Sequence, residues 1–206
     1  MKIIDISWPI SNDMTTYKDK KNVSIKKIRE FNSDNVRESE ITMSSHVGTH
    51  VDAPAHFLEN GETIDFIFLE NLIGDCQVID LTHLDEKISM KDLEKIKIES
   101  EILLFKTKNS FLNYVAPFDY EFIYLDSSAA NYLVENFDLK SVGIDYLGIE
   151  RNQPAHLTHT TLLKSGISII EGLRLQNIDS GKYKLVCMPL LIEGSEAAPA
   201  RACLII

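Results

Sequence analysis

Cysteine is scarce in this sequence, which excludes a disulfide-stapled scaffold. The 206 residues contain three cysteines, Cys76, Cys187 and Cys203, and no C-x-x-C pair. An odd number of widely separated cysteines argues against a disulfide framework and for a reducing compartment. Cys187 and Cys203 lie in apolar runs, so we expect both in the core.

Positive charge and long apolar runs are also lacking. The chain has 21 Lys and Arg against 31 Asp and Glu, a formal net charge of −10. This balance disfavours a phosphate backbone or an anionic membrane as partner. The opening run, Met1 to Ile6, contains charge and is too short for a signal peptide or a membrane span. We therefore expect a cytoplasmic protein that binds a small molecule, with no nucleic-acid or membrane partner.

Linkers, repeats and several catalytic motifs are absent as well. No Gly/Ser/Pro-rich linker or repeat divides the chain, so we expect a single domain over residues 1–206. There is no G-x-S-x-G elbow, phosphate-binding loop or G-x-G-x-x-G motif. A serine nucleophile and a bound nucleotide therefore have no support in the sequence.

One segment is rich in metal-ligating side chains. Residues 46–56 read H-V-G-T-H-V-D-A-P-A-H and hold three of the six histidines. His46, His50, Asp52 and His56 occupy even positions, and apolar residues occupy most odd ones, which indicates an extended chain. We expect the apolar face to pack into the core and to continue upstream through Ile41 and Met43.

A straight strand would keep the ends of this segment apart. At about 3.3 Å per residue, His46 and His56 would be roughly 33 Å from each other. Gly48 and Pro54 are the residues that permit or impose bends. Imidazole and carboxylate ligands suit zinc, manganese or iron. The segment therefore predicts a metal site, and three ligands with open positions would make it catalytic.

Further ligands could come from the second half of the chain. The candidates are His156, His159, Glu150 and Glu171, whereas His83 lies in a polar stretch and reads as surface. Glu171 ends an apolar strand, and a buried carboxylate needs a cation or a partner. It could instead reach water or pair with Arg174. Spacing on a helix does not separate His156 from His159.

The remaining pattern predicts a mixed α/β fold. Capping signals predict helices after Ser89 and after Ser127 or Ser128, and a third helix near 155–164 that ends at Gly166. Strands are predicted at 2–7, 23–28, 38–44, 76–81, 101–106, 121–126, 141–145, 167–171, 183–191 and 201–206.

The segment from His46 to His56 resembles the H-x-G-T-H-x-D-x-P-x-H signature of the cyclase family of metal-dependent hydrolases, which includes bacterial kynurenine formamidases. Every fixed position matches. Further likeness covers nearly the whole chain, at 4–10, 142–145, 159–163, 169–173 and 194–201. The resemblance implies a swivelling β/β/α fold with a β-barrel-like core, assembled as a homodimer or homotetramer.

The resemblance also implies roles for individual residues. His46, His50 and Asp52 would hold one zinc ion, and Asp52 would bridge to a second zinc held by His159 and Glu171. His56 would be the proton donor and acceptor rather than a ligand. The implied activity is an arylformamidase-like amidohydrolase that acts on a small aryl formamide such as N-formylkynurenine, in tryptophan catabolism.

Two departures from that family pattern keep alternatives open. Kynurenine formamidases carry a tryptophan in the N-terminal loop, where this chain has Tyr17, a candidate substrate-binding aromatic residue that could equally be an ordinary loop tyrosine. Lys18 stands where such enzymes commonly have proline. One alternative is an isatin-hydrolase-like enzyme that opens a cyclic amide or lactone with a single manganese ion. A metal-stabilised protein without enzymatic activity is a further alternative.

Overall fold

The sequence folds into short strands and four short α-helices. The computed structural model describes residues 1–206. The strands are β1 (Ile3–Asp5), β2 (Val23–Arg29), β3 (Glu38–Met43), β4 (His50–Asp52), β5 (Ile73–Asp80), β6 (Lys87–Ile88), β7 (Ile102–Lys106), β8 (Tyr124–Leu125), β9 (Ser141–Ile144), β10 (Ser168–Glu171), β11 (Gly181–Pro189) and β12 (Ala197–Ile205). The helices are α1 (Phe31–Asp34), α2 (Met90–Leu93), α3 (Ser127–Asn136) and α4 (Leu157–Lys164).

Seven strands close into a barrel, in the order β12, β11, β5, β7, β9, β10, β4 and back to β12. The pairs among β5, β7, β9 and β10 are parallel, and the other four pairs around the barrel are antiparallel. The mixed α/β architecture and the barrel-like core expected from the sequence are therefore confirmed. Closure by β4 matters most for function, because β4 carries the central part of the histidine-rich segment.

The parallel strands β7, β9 and β10 are buried on both faces, which explains their nearly continuous apolar runs. Along β7, Ile102 and Leu104 pack into the barrel interior with Val51 and Ile170. The intervening residue Leu103 packs on the other side, in a cluster that includes residues of α3 and α4. The core thus forms two layers separated by the sheet. None of the helices has the length and apolar character needed to span a bilayer.

Helix α2 begins after Ser89 and α4 ends at Lys164 as predicted, but two helices begin differently from the sequence predictions. Helix α3 is capped by Asp126, whose carboxylate accepts the N–H groups of Ser128 and Ala129 at 2.9 and 3.1 Å, so a serine cap is wrong. Helix α2 is a single turn after Ser89. Helix α4 begins at Leu157 rather than Ala155, because left-handed backbone at 155–156 interrupts the predicted helix.

Two predicted core positions are also wrong. Ile41 lies on the β2–β3 hairpin, which pairs with no other strand, and it is 56% exposed. Cys203 is partly exposed on β12, whereas Cys187 is fully buried as expected. Alternation within one strand predicts which residues share a face, but not whether another layer covers that face.

Candidate metal centre

The backbone around the histidine-rich segment bends at the two residues predicted to bend it. Gly48 has a left-handed conformation with φ of +60°, and Pro54 begins a 3-10 turn that ends at His56. Between these bends lies β4, a strand of the barrel wall, which carries His50 and Asp52, both almost fully buried. The segment is thus extended only briefly, and its polar side chains can converge.

Asp52 lies at the centre of the cluster. Its Oδ1 is 3.1 Å from Nδ1 of His46 and 3.6 Å from Nε2 of His50. Its Oδ2 is 3.7 Å from Nε2 of His159. One carboxylate therefore faces three imidazoles that come from the histidine-rich segment and from α4.

Glu171 completes the cluster from the end of β10. Its Oε2 is 3.3 Å from Nε2 of His50, and its Oε1 is 3.3 Å from Nε2 of His159. The same Oε1 accepts the backbone N–H of Ile149 at 2.6 Å. Arg174, the alternative partner, donates instead to the carbonyl of Leu112 and stacks on a tryptophan ring. The interpretation of Glu171 as a strand-end residue paired with Arg174 is therefore wrong.

The donor set fits a divalent cation. Nε2 of His50 and both carboxylate oxygens of Asp52 are buried, and despite the short distances to their neighbours none of them makes a hydrogen bond of acceptable geometry. Leaving such groups unsatisfied is costly, at about 1–3 kcal/mol for each ordinary polar group and more for a charged one. A cation among the imidazole and carboxylate atoms would satisfy them, and this ligand chemistry suits zinc, manganese or iron.

Electrostatics lead to the same conclusion. Burial lowers the pKa of His50 and His159, but nearby carboxylates outweigh burial and raise these pKa values to about 9 and about 10. Burial raises the pKa of Glu171, but the neighbouring His159 and His50 outweigh burial and lower this pKa. The cluster therefore demands positive charge, supplied by protons when no metal is bound.

Of the two candidate histidines on or near α4, the structure brings His159 to the cluster. His156 has a side chain that is 61% exposed, and its Nδ1 lies 2.7 Å from Oε1 of Glu150. Glu150 faces the opposite side of His159 from Asp52, with its Oε2 3.3 Å from Nδ1 of His159. It also accepts the backbone N–H groups of Thr158 and His159 at 2.9 and 3.1 Å.

Glu196, which no sequence pattern pointed to, lies on the far side of His46 from Asp52. Its Oε1 is 3.1 Å from Nε2 of His46 and accepts the hydroxyl of Ser45 at 2.6 Å. The hydrogen bond from Ser45 is the first cause of the lowered pKa of Glu196. Glu196 lies 150 residues from His46 along the chain, and no local pattern marks it.

A cavity of about 450 Å³ opens onto the cluster. His56, His46, His159 and Glu171 line it, as do the aromatic residues Tyr17, Phe57, Phe118, Tyr120 and Phe122. The ring of His56 lies 4.1 Å from that of His46, and burial lowers the pKa of His56. A neutral imidazole there can accept a proton. Potential ligand atoms of His46, Asp52 and His56 lie within 4.8 Å of one another, so the geometry also admits His56 as a ligand.

The predicted substrate-binding residue, Tyr17, lies in the wall of this cavity. Its ring meets that of Phe118 edge to face, with centroids 5.1 Å apart. Tyr17 therefore belongs to an aromatic wall of the cavity, unlike an ordinary loop tyrosine that is exposed to solvent. His83 is exposed, as expected, and is not part of the cavity.

Known proteins match most of the chain. The Cyclase family model, described as "Putative cyclase", matches residues 4–151. A cyclase-like protein 3 of Oryza sativa subsp. japonica is 37% identical, over 84% of this chain and 67% of its own. A kynurenine formamidase of Bacillus thuringiensis subsp. konkukian (strain 97-27) is 31% identical, over 97% of this chain and 95% of its own.

Solved structures share the fold. A potential metal-dependent hydrolase with cyclase activity is 43% identical and superposes with a TM-score of 0.89, covering 98% of this chain and 96% of that one. An isatin hydrolase from Labrenzia aggregata superposes with a TM-score of 0.82 at 22% identity, over 100% of this chain and 93% of that one. At that identity the second match supports the fold alone.

Proposed function

Because this chain belongs to the cyclase family of metal-dependent hydrolases, we propose that it hydrolyses a small aryl formamide. One observation carries the proposal: buried carboxylates and imidazoles that demand positive charge lie at the end of a cavity with aromatic walls. The cluster of candidate metal ligands supports hydrolysis, and the aromatic walls of the cavity support an aromatic substrate. The match to a kynurenine formamidase over nearly the whole chain supports the formamide.

We assign the ligands as follows. His46, His50 and Asp52 would hold one cation, and Asp52 would share a second cation with His159 and Glu171. Zinc is the proposed metal at both positions. When bound, such cations acidify water and polarise a substrate carbonyl. Asp52 suits the shared position because its two oxygens face imidazoles of both groups.

His56 would move the proton in this scheme. Its ring lies beside that of His46 and lines the cavity. A neutral imidazole can take a proton from water as it attacks the carbonyl carbon, and can return that proton to the departing amine nitrogen. The amine is a poor leaving group without that proton. Tyr17 and Phe118 would hold the aryl ring of the substrate during the reaction.

A second candidate function is the opening of a cyclic amide or lactone with one manganese ion. An isatin hydrolase has the same fold over the whole of this chain, so this fold is compatible with ring opening, although the shared fold does not favour it over formamide hydrolysis. Both candidates use the same cavity and differ in substrate and metal number. A metal-stabilised protein without activity fits less well, because structural zinc sites usually have four closed, cysteine-rich ligands, and no cysteine lies in this cluster.

The test compares the two substrates directly. Protein reconstituted separately with zinc and with manganese is assayed with N-formylkynurenine and with isatin, and its metal content is measured. We expect efficient formamide hydrolysis by the zinc form. Ring opening without formamide hydrolysis, or activity only with manganese, would support the second candidate function instead.

The His56→Ala variant tests the proton transfer. It should keep its bound metal and lose activity, with kcat falling on the order of 10²–10⁴-fold. His83→Ala is the matched control, since His83 is exposed and lies outside the cavity. Loss of metal from the His56 variant would show instead that His56 is a ligand.

A further inference from the structure

The outer part of the cavity wall carries positive charge in a chain that is strongly acidic. Lys18, Lys20 and Arg151 line the cavity, although the whole chain has a formal net charge of −10. Three cations around one cavity oppose the overall composition. They can bind an anion only where acidic neighbours do not neutralise them.

Apart from Glu121, which pairs with Arg151, the acidic residues near these cations are engaged elsewhere. Asp19, between the two lysines in sequence, accepts the backbone N–H of Phe118 at 2.8 Å through its carboxylate. The two carboxylates that line the cavity, Glu150 and Glu171, bind the histidines and backbone amides of the metal centre. Neither Lys18 nor Lys20 belongs to any ion pair.

Arg151 is held in place with donors to spare. Its guanidinium lies 5.1 Å from the ring centroid of Tyr124, and its side chain is 11% exposed. Only Nη1 is used, toward the carbonyl of Tyr120 and the carboxylate of Glu121. Glu121 is 87% exposed, so its ion pair with Arg151 contributes little. Nε and Nη2 have no partner within the protein, and a guanidinium fixed in this way loses little freedom on binding an anion.

Lys18, which lines the cavity, has an unusual backbone conformation. Its φ is +52°, in the left-handed region that non-glycine residues seldom adopt. The ammonium lies 5.2 Å from the ring centroid of Tyr17, the aromatic residue that we propose contacts the substrate. Positive charge is therefore adjacent to the aromatic wall.

We propose that the cavity selects aromatic amides that carry a carboxylate, and that Arg151 and Lys18 bind this carboxylate while the amide faces the metal centre. The inference rests on the proposed function, since it names the class of aryl formamide that the site accepts. A carboxylate suits both groups, because it can pair with the free edge of the guanidinium and with an ammonium.

The experiment compares neutral and anionic substrates of the same shape. The metal-loaded protein is assayed with formanilide and with the 2-, 3- and 4-isomers of formamidobenzoate. We expect kcat/KM for the best isomer to exceed that for formanilide by at least about tenfold, which corresponds to about 1.4 kcal/mol. The ratio should fall as salt is added, because the Debye length shrinks from about 10 Å at 0.1 M to about 3 Å at 1 M.

Variants show which residues cause the preference for the anionic substrate. Arg151→Gln and Lys18→Gln should each lower the ratio of the two kcat/KM values by at least about threefold. Lys184→Gln removes the same charge from an exposed position on β11 outside the cavity and should keep the wild-type ratio. A ratio near one in the wild-type protein would overturn the inference while leaving the proposed function intact.

A binding measurement separates this inference from catalysis. Calorimetry compares the aminobenzoates with aniline on the metal-loaded protein. Weaker binding of the aminobenzoates to both variants, with metal content unchanged, supports the inference even if no formamide is hydrolysed, an outcome that would overturn the proposed function alone. A preference that persists in both variants would show that metal rather than the cavity wall binds the carboxylate, and would overturn the inference.

Discussion

Each imidazole in the cluster uses one ring nitrogen for support and turns the other toward a shared carboxylate. His50 directs Nδ1 to the carbonyl of Gly48 at 2.9 Å and Nε2 to Glu171 at 3.3 Å. His46 has Glu196 behind it, and His159 has Glu150 behind it. Outer partners of this kind fix ring orientation and tautomer in metal sites. The orientation is therefore built into the protein itself.

At the scale of single residues, Glu171→Gln should remove one metal selectively. The glutamine keeps an oxygen for the N–H of Ile149 but lacks the negative charge that faces His50 and His159. We expect elemental analysis to show about half of the wild-type metal, with the fold intact by circular dichroism. If two metals and full activity remained, the arrangement bridged by Asp52 would be wrong.

Glu150→Gln tests support from outside the ligand set. Glu150 accepts two backbone N–H groups at the start of α4 and lies beside Nδ1 of His159. We expect metal affinity to weaken by about 10–100-fold, the usual cost of losing an outer partner, measured by competition with a chelator. The exposed Glu193→Gln is the control. Unchanged affinity would show that Glu150 only caps the helix.

At the scale of elements, the site depends on the close approach of two loops. Thr49, at the start of β4, donates its hydroxyl to the carbonyl of Gly172 at 2.6 Å, just after β10. The same hydroxyl oxygen accepts the N–H of Trp8 at 2.7 Å. A Cβ on Gly172 would lie 2.2 Å from the carbonyl oxygen of Gly48. Glycine at 172 thus permits the spacing that brings His50 and Glu171 together.

Gly172→Ala should therefore lower the free energy of unfolding more than the same substitution at Gly166. Its left-handed φ of +71° and its backbone clash together predict a loss of about 2–4 kcal/mol in the free energy of unfolding. Gly166→Ala has a similar φ of +75° with nothing within 4 Å, so about 1–2 kcal/mol is expected there. Equal losses in urea denaturation would contradict this account of the packing.

At the scale of the whole molecule, the cluster ties together elements far apart in sequence. Asp52 belongs to β4, Glu171 to β10 and His159 to α4. In the metal-free protein, His50 and His159 have pKa values raised from 6.5 to about 9 and about 10. Their stabilising contribution is complete below about pH 6.5 and is lost as pH rises through the raised values. A cation needs these imidazoles deprotonated, so protons compete with metal.

The rise in Tm on adding zinc should therefore grow with pH. One displaced proton corresponds to about 1.4 kcal/mol per pH unit, or about 3–5 °C in Tm for a chain of this size. We expect the difference in Tm between zinc-loaded and chelator-treated protein to increase from pH 6 to pH 8.5. A difference that stayed constant or shrank with pH would show that the ligands carry no protons in the metal-free state.

Features that depend on neighbouring residues can be predicted from the sequence. Extended backbone with bends at Gly48 and Pro54 follows from local sterics and period-two alternation, so the sequence predicts the candidate metal-binding segment directly. The apolar runs likewise predicted a buried, mixed sheet. Local sterics did not reveal which apolar faces stay exposed, as Ile41 shows, because exposure depends on what the rest of the chain covers.

The long-range partners of these residues do not follow from local patterns. Helical spacing left His156 and His159 as alternatives, and the family resemblance implied His159; in the structure His159 reaches Asp52, because the left-handed backbone at 155–156 sets where α4 begins. Glu196 meets His46 across 150 residues because β12 pairs with β4 when the barrel closes. Arg151 lines the cavity with Lys18 for the same kind of reason. Contacts between distant residues require the closed barrel, and no local pattern of side chains encodes them.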